Sequence, residues 1–118
     1  SEVLHPAPFM RPLEPREMGS IYEMRIYTYQ SGSMPEVLKR CGEAIEEREK
    51  YSPLAACWYT DAGEVSRFIH VWPYKDFAER ERVRQEARQG GHWPPQTREF
   101  LVRQENKLLV PAAFSPLK

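Results

Sequence analysis

The sequence predicts an α+β domain with two helices on one face of an antiparallel sheet. Three observations carry this. Aromatic and β-branched runs alternate with stretches of helical period in the order β-α-β-β-α-β. Each helical stretch opens on a capping-box pattern, Ser33-Met34-Pro35-Glu36 and Asp76-Phe77-Ala78-Glu79. The 118 residues are enough for one such domain and too few for two.

The elements follow in order. Pro6, Pro8, Pro12 and Pro15 exclude a regular helix or central strand from residues 1–20, which read as an extended arm ahead of a domain over 21–118. Pro6-Ala7-Pro8-Phe9-Met10-Arg11-Pro12-Leu13 echoes Pro111-Ala112-Ala113-Phe114-Ser115-Pro116-Leu117 with a one-residue gap, as the tail of a preceding copy of the domain would. Ile21 to Tyr29 reads as the first strand. Met34, Val37, Leu38, Cys41, Ala44 and Ile45 recur at spacings of three and four, so a helix runs to about Tyr51. Glu36–Arg40 and Glu46–Lys50 support it as i,i+4 pairs, and Gly42 inside it points to close packing. Ser52-Pro53 ends the helix.

Leu54 to Thr60 is the second strand, and Asp61-Ala62-Gly63-Glu64 is the turn into a third over Val65 to Trp72, stopped by Pro73. A charged helix runs to about Gln89 and stops at Gly90-Gly91, its alternating charges forming a solvated face. Pro94-Pro95 begins a short helical piece carrying Phe100 and Leu101, and Lys107 to Val110 is the last strand. This order is that of the ferredoxin-like split unit.

Composition narrows function. Seventeen basic residues balance seventeen acidic ones, which argues against a nucleic-acid binder. Cys41 and Cys57 do not form a Cys-x-x-Cys motif and read as free thiols in a reducing compartment. No stretch approaches the length of a membrane span, no signal peptide opens the chain, and the expected location is cytoplasmic. His5, His70 and His92 are too scattered for a metal site, and no phosphate loop, dinucleotide fingerprint or hydrolase elbow occurs. The sequence does not identify a cofactor.

Alternation places aromatic and aliphatic residues on both sheet faces: Phe68, His70 and Trp72 against Ile69 and Val71, and Tyr22, Met24 and Ile26 against Ile21, Tyr27 and Tyr29. Soluble monomers avoid such broad apolar faces. A homodimer packed sheet to sheet is therefore expected.

His70 is the leading chemical candidate. Set between Phe68 and Trp72, a neutral imidazole serves as a general base or binds a metal or haem iron; its rival is a buried structural histidine. Glu23 and Arg25 share a sheet face, where the arginine can grip a ligand oxygen with the glutamate orienting it; the rival is a structural ion pair with Arg80 or Glu105. Tyr27, Trp58, Tyr59 and Trp72 are candidates to line a pocket for a planar ligand, against ordinary core packing. Trp93, between Gly-Gly and Pro-Pro, is a candidate lid or an anchor for its loop.

Several stretches together resemble the NIPSNAP family: Tyr22-Glu23-Met24-Arg25-Ile26-Tyr27, Arg48-Glu49-Lys50-Tyr51-Ser52-Pro53-Leu54, Trp58-Tyr59-Thr60, His70-Val71-Trp72-Pro73-Tyr74, the Glu79-Arg80 turn, His92-Trp93-Pro94, Gln104-Glu105-Asn106 and Phe114-Ser115-Pro116-Leu117. They cover about residues 21 to 117 in consistent order. The resemblance implies a dimeric α/β-barrel of ferredoxin-like subunits. Many family members carry two such domains, whereas this chain holds one complete copy and lacks an evident mitochondrial presequence, like a bacterial-type member. Proteins sharing that barrel include cofactor-free oxygenases, haem-handling proteins and small-molecule binders, an analogy of fold alone. The leading expectation is a homodimer holding a small organic molecule between sheet and helices, with cofactor-free oxygenase-like chemistry as the reaction the resemblance would allow. The alternatives are a non-catalytic protein-interaction module and a haem-handling protein.

Overall fold

The computed structural model describes residues 4–10, 18–60 and 65–110. The elements are β1 (His5–Pro6), β2 (Ile21–Gln30), α1 (Met34–Glu49), β3 (Ala56–Tyr59), β4 (Val65–Tyr74), α2 (Phe77–Gln89), a 3-10 turn (Arg98–Phe100) and β5 (Leu101–Leu109). They form one five-stranded antiparallel sheet in the order β1-β3-β4-β2-β5. Apart from β1, this is the expected β-α-β-β-α-β fold. The Asp61–Glu64 turn, the C-terminal tail from Pro111 and part of the N-terminal echo lie outside the described residues.

β2 lies between its two long neighbours. It pairs with β4 from Ile21↔Tyr74 to Gln30↔Val65, and with β5 from Tyr22↔Leu109 to Tyr29↔Leu101, with a register shift between Thr28 and Tyr29. Its odd-numbered side chains meet the helices. Ile21, Tyr29, Cys57, Phe68, Trp72 and Tyr74 pack there with Met34, Val37, Cys41 and Ile45 of α1 and Val83 of α2. The sequence left open which sheet face the helices take. The choice buries Glu23 and His70 rather than leaving them to water.

Pro73 does not stop β4. The Val71 carbonyl accepts from the Ala55 N–H at 2.9 Å, so odd residues of β4 turn their backbone polar groups toward β3. β3 has ended by Pro73, and the missing N–H has no ladder partner to lose. β5 begins at Leu101 rather than Lys107, because Arg103, Gln104 and Glu105 still pair with β2 although they carry no apolar pattern.

The helix ends differ. Asp76 caps α2, accepting from the Glu79 N–H at 2.8 Å, while Glu79 accepts from the Lys75 N–H at 3.0 Å. Ser33 instead donates to the Gln30 carbonyl at 2.6 Å, closing the β2–α1 turn in which Gly32 takes φ +83°. Gly91, also at positive φ, follows the end of α2. Glu36–Arg40 forms at 2.9 Å, but Lys50 pairs with Glu47. Gly42 faces Phe9 from the N-terminal segment, with ordinary van der Waals room for a Cβ at 3.6 Å.

β1 adds an edge strand beside β3, where prolines are tolerated. Met10 and Met18 cover one end of the second sheet face, packing with Tyr22, Ala56, Val71 and Trp58. That face is less apolar than expected, since the register puts Arg103, Glu105 and Lys107 of β5 on it beside Thr28, Ile26 and Met24.

Candidate functional site

The sheet, α2 and the loop after it enclose a narrow cleft of about 70 Å³. Its walls are Arg25 and Tyr27 from β2, Trp72 and Tyr74 from β4, Arg48 from the last turn of α1, Arg84 and Arg88 from α2, and Trp93 and Pro94 from the loop. Four arginines thus line one opening.

Arg48 is the most constrained of them. It is 3% exposed, and its guanidinium carbon lies 4.0 Å from the centre of the Trp72 ring. It donates to the Tyr74 hydroxyl at 2.8 Å and to the Ser52 hydroxyl at 2.9 Å. These partners are neutral. Burial pulls its pKa below the ordinary arginine value, with the Tyr74 hydroxyl opposing that pull. Among the described residues no carboxylate lies within ion-pair distance of Arg48, Arg84 or Arg88. Of the three only Arg48 is buried, and a buried cation without an ion-pair partner is costly unless something else supplies the counter-charge.

Arg25 is held by its own strand. Its Nε donates to the Tyr27 hydroxyl at 2.8 Å, and its Nη1 lies 3.6 Å from Glu23 Oε2. That bond leaves the Tyr27 O–H proton for another acceptor. Burial raises the Tyr27 pKa, so the proton stays on. Glu23 is fully buried and takes its main ion pair from Arg80 at 2.8 Å. Glu23–Arg80 is thus the structural pair weighed from the sequence, and Arg25 is the more exposed member of the cluster.

His70 sits one layer deeper. It is 3% exposed and ringed by Phe68, Tyr27, Trp72 and Trp93 at centroid distances of 4.4 to 6.2 Å. Neither ring nitrogen has a hydrogen-bond partner among the described residues. Burial first, then the Arg25 and Arg48 charges, push its pKa down to about 3, so it is neutral at pH 7. It borders a separate void of about 30 Å³ shared with Tyr29, Cys41 and Thr97. That is room for one or two water-sized groups. No group of three or more candidate metal ligands exists among the described residues.

The structure brings Arg25, Tyr27, Trp72 and Trp93 to the cleft, with Glu23 beneath it and His70 beside it. It does not bring Trp58 or Tyr59. Trp58 pairs with Ile69 and so stands on the opposite sheet face; Tyr59 keeps the helix face but packs against His5 at the β1 edge, at 5.3 Å between rings. Arg48, Tyr74, Arg84 and Arg88 were missed as site residues. One signal was available: Arg80, Arg84 and Arg88 recur every four residues, an unfavourable like-charge stripe on an isolated helix.

The fold and cleft define a class, a ferredoxin-like α+β domain with a basic, aromatic-walled opening between sheet and helix. The NIPSNAP family model matches residues 22–116, and the chain belongs to the NIPSNAP family. It is 29% identical to Protein NipSnap homolog 1 of Danio rerio over 88% of this chain and 38% of that protein. It is 28% identical to the NipSnap homolog of Dictyostelium discoideum over 89% and 49%. The chain thus spans between about a third and a half of the curated relatives it matches. Among solved structures, an uncharacterized NIPSNAP domain protein from Burkholderia xenovorans superposes with a TM-score of 0.72 at 32% identity, covering 81% of this chain and 98% of that one. A NIPSNAP family protein of unknown function from Agrobacterium tumefaciens gives 0.76 at 25% identity, covering 89% and 99%.

Proposed function

We propose that this chain binds a small organic anion in the cleft between sheet and α2. The observation that carries this is Arg48, buried on Trp72 with neutral partners only, while Arg25, Arg84 and Arg88 face the same space. The nearby carboxylate, Glu23, is already engaged by Arg80. A carboxylate or phosphate supplies the missing counter-charge through charge-assisted hydrogen bonds, and the Tyr27 hydroxyl adds a neutral donor. His70 takes no part in this reading, since it borders the smaller void. The same void is an order of magnitude below the size of a drug-like ligand site, which weighs against haem beside His70.

The test is thermal unfolding against benzoate, inorganic phosphate and neutral benzamide. The two anions raise the midpoint with concentration and benzamide does not. Arg84→Gln, a partly exposed change, removes the effect. No shift with either anion at millimolar concentration refutes the proposal.

A second copy of the chain is the proposed partner. Val102, Leu108, Leu109 and Val110 are exposed on and beside the β5 edge, and Met24, Trp58 and Ile69 are only half-buried on the sheet face away from the helices. Association covers both surfaces. Light scattering at micromolar concentration returns twice the chain mass; a monomer mass contradicts it. The cytoplasm is the proposed compartment, on the two buried free thiols Cys41 and Cys57.

A further inference from the structure

The arginine cleft continues into a second, larger space. A basin of about 540 Å³ shares Arg25, Tyr27, Arg88, Trp93 and Pro94 with the 70 Å³ cleft. Beyond these shared walls it is lined by Tyr29, Leu101 and the neutral polar side chains Gln96, Thr97 and Gln104, with Arg98 also on its wall. The two spaces differ in capacity. The inner one holds roughly five water-sized groups, the size of a carboxylate or phosphate and little more. The outer one falls in the range of sites for whole small molecules. Their chemistry differs as well. The inner end adds buried Arg48 and half-buried Arg84 to the shared Arg25 and Arg88, while the outer end adds Arg98 together with Tyr29, Leu101 and amide or hydroxyl groups.

Resting on the anion reading above, we infer that the ligand is an amphipathic organic acid. Its phosphate or carboxylate head enters the inner chamber, and its flat body lies in the outer basin against Trp93. Trp93 is placed for this role. It is half-buried, borders both chambers, and is steadied edge-on by Trp72 at 5.8 Å. An indole fixed in this way presents a large apolar surface at small entropic cost. A bare inorganic ion fills the inner chamber alone and leaves the outer walls in water.

Calorimetric titration with two matched pairs tests the inference: inorganic phosphate against phenyl phosphate, and acetate against phenylacetate. Each aromatic acid binds at least tenfold more tightly than its bare head group. In Trp93→Ala that ratio falls to about one, and in Trp93→Phe, which keeps a ring, most of it returns. Comparing the two pairs tells a phosphate head from a carboxylate one. Equal affinity within both pairs in the parent protein overturns the amphipathic ligand while leaving an anion site in place. No binding by any of the four overturns both readings. Binding of the bare heads in Trp93→Ala shows that this variant is folded, so a lost ratio there reports the basin rather than the fold.

Discussion

Lowering the pH from 7 to 4.5 puts the burial of His70 under direct strain. The ring is enclosed by Tyr27, Phe68, Trp72 and Trp93, with Cys41 across the small void and the Arg25 and Arg48 cations nearby. No carboxylate contributes to holding it charged. Its pKa therefore drops from the ordinary 6.5 to about 3 in the folded chain. Between those values the unfolded chain binds a proton that the folded chain does not, so stability falls as pH falls through this window and is full above about 6.5. The slope for one proton is about 1.4 kcal/mol per pH unit, which integrates to roughly 3 kcal/mol lost at pH 4.5. Carboxylates titrate in the same range, so the measurement is a difference. Urea unfolding of the parent and of His70→Phe from pH 7.5 to 4 isolates the histidine. The two curves diverge below pH 6.5, the parent losing about one more proton's worth of slope. At pH 7 the variant is at least as stable as the parent, because two buried nitrogens without partners are gone. Parallel curves across the whole range refute the reasoning.

Other perturbations give separate expectations. Glu23→Gln removes the charge that holds Arg80 and steadies Arg25, and lowers unfolding stability by on the order of 2 kcal/mol, less than a fully buried pair because Arg80 still reaches water. Gly19→Ala places a Cβ 2.6 Å from the Tyr74 carbonyl oxygen and lowers the thermal midpoint. Gly42→Ala meets only Phe9 at 3.6 Å inside α1 and raises stability by about 0.5–1 kcal/mol, a contrast readable by the same denaturation assay. Phenyl phosphate affinity falls steeply between 20 and 300 mM salt if arginine charge drives binding, and a flat dependence argues that packing alone does.

The fold was legible because its strongest signals are local. The helical spacing in residues 34–45, the Asp76 cap and the aromatic strands each agree with the structure. β5 was half-hidden, since an edge strand bonded only to β2 needs no apolar alternation and Arg103 to Glu105 show none. Pro73 misled for a related reason: a proline forbids a strand only where its N–H has a partner to lose, and that depends on where β3 ends. The site was less legible than the fold. Strand parity put Arg25 and Tyr27 on one face of their strand and Trp72 beside Phe68 and His70 on another, but it did not say which faces meet the helices. Arg48 and Arg84 belong to two different helices, and only the packing of both on the sheet brings the two arginines to one cleft. In the sequence, only the four-residue spacing of Arg80, Arg84 and Arg88 sets them apart from an ordinary solvated helix face.

A crystal structure of the chain soaked with phenyl phosphate shows directly where the anion sits. The phosphoryl group is expected among Arg25, Arg48, Arg84 and Arg88, with the ring on Trp93 toward the outer basin. Phosphoryl density elsewhere on the surface, with the arginine cleft closed by protein side chains at saturating ligand, contradicts that placement.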